Sequence, residues 1–104
     1  KGIEGLVTPF IDPKAVSIYN QYTLVTAKRD GLMQHLQDRG IGCAIYYPLP
    51  LHLQECFKEL GYKKGDLPVA EEMAGKVLSI PIYPELTDAM KQYVVDSIKE
   101  YFKV

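Results

Sequence analysis

The chain has 104 residues, 47% of them hydrophobic and 24% charged, with 12 Lys+Arg against 13 Asp+Glu and a formal net charge of −1. These figures describe one small globular domain with a single modest core, and they exclude a disordered chain. They also exclude a basic nucleic-acid arm, because only Lys28-Arg29 and Lys63-Lys64 bring two cations together. No apolar run approaches the roughly 20 residues that span a bilayer, and no signal-peptide pattern opens the sequence. Cys43 and Cys56 form no CxxC motif and no Cys/His cluster, so neither a zinc site nor a disulfide framework is expected. Two reduced thiols in a cytoplasmic protein are the expectation. The sequence begins at Lys1 rather than at a methionine, so a piece of a longer protein is expected.

In chain order, Leu6 to Ile11 reads as a short extended piece marked by Pro9, and Asp12-Pro13 as a turn. Val16 to Ala27 reads as a strand, from its β-branched and aromatic residues. Arg29 to Arg39 reads as a helix with an apolar stripe of Leu32, Met33 and Leu36, stopped by Gly40. Ile41 to Tyr47 reads as a second strand, ended by Pro48-Leu49-Pro50. Leu51 to Leu60 reads as a short helix through Leu53, Phe57 and Leu60, with Gly61 as its stop.

Lys63 to Asp66 is a turn signal, and Pro68 opens a helix that runs to about Lys76. Val77 to Ile80 reads as a third strand ended by Pro81. Thr87 is the expected N-cap of the last helix, whose apolar face is Met90, Val94, Ile98 and Tyr101. The order β-α-β-α-α-β-α implies an α+β layer, a small three- to four-stranded sheet with helices packed mainly on one face. A ferredoxin-like split unit also fits that opening.

The sequence holds no GxGxxG, Walker A, HExxH or GxSxG motif. His35 sits between helix positions Leu32 and Leu36 and reads as a boundary histidine without a role. The segment Tyr46-Tyr47-Pro48-Leu49-Pro50-Leu51-His52-Leu53-Gln54 has a different character. Two tyrosines close a strand, two prolines fix the backbone, and a histidine follows at a helix start. Stacking faces, hydroxyls and an imidazole suit a nucleotide base or a sugar. The competing reading is structural: adjacent strand tyrosines face opposite sides, so at least one packs, and His52 bonds a nearby carbonyl. Asn20-Gln21-Tyr22 is the second unusual spot, either a bulge or a site edge. Tyr93 and Tyr101 read as helix packing.

At these two segments the chain resembles a known family. Val16 to Leu24, Arg29-Asp30, Gly40-Ile41-Gly42 and Tyr46 to Gln54 resemble the C-terminal part of the DegT/StrS family of pyridoxal-phosphate-dependent nucleotide-sugar aminotransferases. Gly61-Tyr62, Gly65-Asp66-Leu67-Pro68, Ala70-Glu71 and Leu78 to Thr87 continue the pattern in order. The resemblance extends from about Val7 to Phe102. It implies that residues 1–104 are the single small C-terminal domain of a fold-type I enzyme roughly three to four times this length. The resemblance also places pyridoxal phosphate on a large domain of the same chain, which supplies the Schiff-base lysine, since none of the ten lysines here matches that motif. Taken alone, the fragment is then not catalytic.

The same resemblance implies that Tyr46 and Tyr47 line the nucleotide-sugar pocket, with His52 next and Asn20 and Tyr22 near the site. Three positions depart from the pattern: Val25 where many members have arginine, Glu55 where proline often stands, and Met90 where a glutamate or glutamine would complete a capping box. The implied reaction moves an amino group from glutamate to a keto-sugar nucleotide, in surface-polysaccharide or amino-sugar biosynthesis, on a homodimeric enzyme. The competing readings are a stand-alone, non-catalytic nucleotide-binding module and a protein-interaction domain. The binding module predicts a reading frame that starts near Lys1, whereas the aminotransferase predicts upstream coding sequence with the cofactor lysine; the interaction-domain reading is compatible with the latter.

Overall fold

A computed structural model describes residues 2–104. Two short strands, β1 (Tyr22–Val25) and β2 (Val77–Ile80), pair antiparallel with Leu24 opposite Leu78 and Thr23 opposite Ser79. Three α-helices accompany them: α1 (Arg29–Asp38), α2 (Pro68–Ala74) and α3 (Asp88–Phe102). Two 3-10 turns, Leu51–Leu53 and Glu55–Leu60, lie between α1 and α2.

Strand alternation decides which side of the sheet is dry. Leu24 and Leu78 point to one face and are buried with Leu32 and Leu36 of α1 and with Val94 and Ile98 of α3. Each such side chain contributes about 1.5–3 kcal/mol by leaving water. On the opposite face the Thr23 and Ser79 hydroxyls meet across the strands at 2.8 Å. The expected α+β layer with helices on one face is therefore present for α1 and α3.

The sheet is smaller than the three or four strands expected. Val7 adds only a single bridge to Val25 on the outer edge of β1, and Ala44 a single bridge to Ser79 on the outer edge of β2. The reading of Val16 to Ala27 as one strand fails in its first half. Tyr19 turns to φ +48° and its N–H bonds back to the Ser17 hydroxyl at 3.1 Å, so the chain leaves the sheet plane. Val16 and Ile18 are consequently 96% and 90% exposed. The Ile41–Tyr47 strand shrinks to its one bridge because Gly42 offers no side chain to pack and Pro48 has no N–H to donate. The helix expected over Leu51–Leu60 is divided at Gln54, which is extended (ψ 146°) and turns its amide back onto the Leu49 carbonyl at 3.1 Å.

The helix ends follow their sequence signals. At the end of α1 the Gly40 N–H bonds Gln37 O and the Ile41 N–H bonds Leu36 O, with Gly40 at φ +74°. This is a Schellman closure, and it buries Ile41 beside Leu36. Pro68 opens α2. The Thr87 hydroxyl accepts from the Met90 N–H at 3.1 Å and caps α3.

Side chains then tie the helices together. His35 Nε2–H donates to Ser97 O at 3.0 Å, and Arg39 pairs with Glu100 across the α1–α3 seam. The largely buried Arg29 guanidinium donates to Ala74 O at 2.9 Å and Val77 O at 3.2 Å, satisfying a carbonyl at the end of α2 and one at the start of β2. Met90, expected on the buried face of α3, is exposed instead. Among the described residues no helix is long and apolar enough to cross a membrane, and no group of three metal-ligating side chains is found.

Candidate functional site

The segment between the Ala44 bridge and α2 holds only two 3-10 turns and exposes several aromatic rings. Tyr46 and Tyr47 are 56% and 57% exposed. Neither packs into the core, contrary to the structural reading that at least one should. The chain bends at Tyr46, and the two neighbouring rings enter different grooves.

Tyr46 enters a groove of about 670 Å³ with Asn20, Gln21, Tyr83, Met90 and Tyr93. Its wall is mixed: amides from the approach to β1, phenols from the end of β2 and from α3. Tyr93 is half-exposed there, and its hydroxyl donates to Arg39 O at 2.7 Å. The helix-packing role read from the sequence is thus only half of its situation. Cys43 borders the same groove, with its thiol pushed up by burial, and remains protonated near neutrality. Cys43 and Cys56 are both free thiols.

Tyr47 enters a more apolar groove of about 600 Å³ with His52, Phe57, Leu60, Tyr62 and Met73. The apolar residues of the broken helix, Phe57 and Leu60, thus line a groove rather than fill a core. His52 is buried at its edge, edge-on to Tyr62 with ring centroids 6.1 Å apart. Its Nε2–H donates to the Glu71 carboxylate at 3.3 Å. The carboxylate also accepts the Gly65 N–H at 2.8 and 2.9 Å and the Leu67 N–H at 3.3 Å. These N–H donors, with the His52 ring, hold the Glu71 carboxyl below its usual 4.5.

The five sequence candidates therefore divide. Asn20 and Tyr46 share one groove; Tyr47 and His52 share the other. Tyr22 lines neither: it packs against the core, and the Tyr19 ring lies tilted to it with centroids 5.5 Å apart. His52 is not a free ligand group, because its Nε2 is committed to Glu71. Sequence reasoning missed Glu71 as an organiser. Its signal was the Gly65-Asp66-Leu67-Pro68 turn with an acid three residues after the helix-opening proline, placed to fold back on the turn's N–H groups.

Residues 1–99 match the DegT/DnrJ/EryC1/StrS aminotransferase family. The chain belongs to this family. It is 46% identical over 97 residues to a pleiotropic regulatory protein of Geobacillus stearothermophilus, an alignment covering 89% of this chain and 26% of that protein. It is 35% identical over 100 residues to the dTDP-3-amino-3,4,6-trideoxy-alpha-D-glucose transaminase of Streptomyces venezuelae, covering 96% of this chain and 26% of the transaminase. The fold superposes on the crystal structure of S. venezuelae DesV with a TM-score of 0.93 at 34% identity, over 99% of this chain and 28% of DesV. The chain thus spans about a quarter of the length of the relatives it matches.

Proposed function

We propose that this chain is the C-terminal, substrate-side domain of a longer pyridoxal-phosphate aminotransferase that moves an amino group from glutamate to a keto-sugar nucleotide. One observation carries the reading. A family member named as a dTDP-sugar transaminase aligns with 96% of this chain, while this chain covers 26% of it. The products of such an enzyme would serve surface-polysaccharide or amino-sugar biosynthesis.

The cofactor, when bound, carries the amino group between donor and acceptor. This chain's described residues do not fit it. A cofactor lysine must be enclosed, and every described lysine except Lys76 is exposed, while Lys76 is paired with Glu72 at 2.6 Å. The cofactor is then held by the remainder of the longer protein, and this chain binds and orients the acceptor.

Tyr46 and Asn20 present a stacking face and an amide in one groove, and Tyr47 a second stacking face in the other. Binding energy from the remote nucleotide would position the reacting carbonyl. The arm over residues 8–19 supports the reading. It leaves Phe10, Val16 and Ile18 almost wholly exposed, and the radius of gyration is 15.6 Å, against about 13 Å for a compact chain of this length. An apolar arm of this kind needs a cover, which the large domain of the same chain and a homodimer partner would supply.

The test uses the full-length protein that contains this chain, loaded with pyridoxal phosphate. A visible cofactor band that changes on adding glutamate supports the reading. A longer protein that binds no cofactor overturns it, and leaves the two tyrosine grooves to be tested as a stand-alone nucleotide-binding or protein-interaction module.

A further inference from the structure

Tyr46 and Tyr47 lie on a span of chain that is fixed at both ends and unsupported between them. At its start, Ala44 exchanges both backbone hydrogen bonds with Ser79 of β2, at 3.0 and 2.9 Å. Beyond the tyrosines the backbone is stiff. Pro48 and Pro50 fix φ, the Leu53 N–H bonds Pro50 O at 2.9 Å, and the Gln54 amide bonds Leu49 O at 3.1 Å. A unit that is rigid within itself still needs an attachment to the body, and His52 is the polar attachment this unit has. Its side chain is 5% exposed and meets the Glu71 carboxylate, itself only 16% exposed. Glu71 in turn is immobilised from behind by the Gly65 and Leu67 N–H groups, where Gly65 turns at φ +98°. A carboxylate held by several donors at once is a stiff anchor.

We infer that Glu71 is a positioning residue for acceptor binding: through His52 it holds the Pro48–Leu53 turn against α2 and so sets where Tyr46 and Tyr47 present their rings. The inference rests on the reading of this chain as the acceptor side of an aminotransferase. Glu71 lines neither groove, so it acts through His52 and touches no substrate. A mere packing role for the pair would stabilise the domain without favouring one half-reaction over the other.

The experiment uses the full-length protein loaded with pyridoxal phosphate, with two readouts. One is the absorbance change on adding glutamate. The other is calorimetric binding of dTDP and of UDP. In Glu71→Ala the nucleotide that the wild type binds should weaken about tenfold, in keeping with the cost of misplaced binding groups. The glutamate response should stay within about twofold. Glu71→Gln keeps an oxygen for the Gly65 N–H and should recover most of the affinity. Glu72→Ala, one residue along and paired only with Lys76, should change neither readout.

Unchanged nucleotide affinity in Glu71→Ala, or equal loss of both readouts, overturns the inference. If Glu71→Ala fails to fold, Glu71→Gln and His52→Gln decide it: wild-type affinity in both overturns it, and selective weakening in His52→Gln supports it. A wild-type protein that answers glutamate but binds neither nucleotide overturns the acceptor-side reading and this inference together. Binding retained in the wild type and unaffected by Glu71→Ala overturns this inference alone.

Discussion

Two halves of the molecule are built on different principles. The half made of β1, β2, α1 and α3 is held by burial: Leu24, Leu32, Leu36 and Leu78 are at most 2% exposed, and the helix ends close with a Schellman turn and a threonine cap. The half between Ile41 and Leu67 holds little core. It is held by a backbone bridge, two prolines, a glutamine clasp and the Glu71 anchor, and it keeps its aromatic rings in solvent. Rings left exposed are available to a ligand, and rings committed to a core are not. The contrast separates the residues that make the domain stable from those left available to a ligand.

The largest expected effect breaks the packed half. Leu78→Ala removes a fully buried side chain opposite Leu24 and should cost about 2–5 kcal/mol, read as a drop in the urea midpoint. A smaller loss tests the helix closure. Gly40→Ala places a Cβ at φ +74° with open space around it, so the penalty is conformational and should be about 1–2 kcal/mol. The smallest stability effect sharpens the other half. The Glu71 carboxyl is held below 4.5 when folded, so its contribution is present above that pH and is lost as pH falls through the lower folded value. Glu71→Gln should therefore lower the neutral plateau and flatten the acid limb of stability against pH, leaving stability at the lowest pH least affected.

The packed half was largely legible in the sequence because local signals and burial agreed there. Gly40 after the Leu32–Leu36 stripe and Thr87 before the Val94–Ile98 face each specified an end or a face that the fold uses. The loop half misled for physical reasons. Phe57 and Leu60 recur at helical spacing, yet Gln54 spends its side chain on Leu49 O and takes an extended backbone, so the helix divides. Val16 and Ile18 look like strand residues, but among the described residues no strand pairs with them, and a β pattern without a partner has no ladder to join.

For the site, the Tyr46-Tyr47 pair stood out from its prolines and strand end. Its division between two grooves did not, because that depends on where α2 and α3 lie. His52 was visible as an unusual residue. Its partner Glu71, 19 positions away, was not, since a pairing across that distance is set by the turn at Gly65.

The central claim is that this chain serves the acceptor side of a reaction whose cofactor lies elsewhere in the protein. The most direct test is Tyr46→Ala in the full-length enzyme, with the donor and acceptor half-reactions measured separately. A stacking contact is worth roughly 1–3 kcal/mol, so the acceptor half-reaction should slow about tenfold or more while the glutamate half-reaction and the urea midpoint hold. Equal damage to both half-reactions, or none to either, would contradict the account.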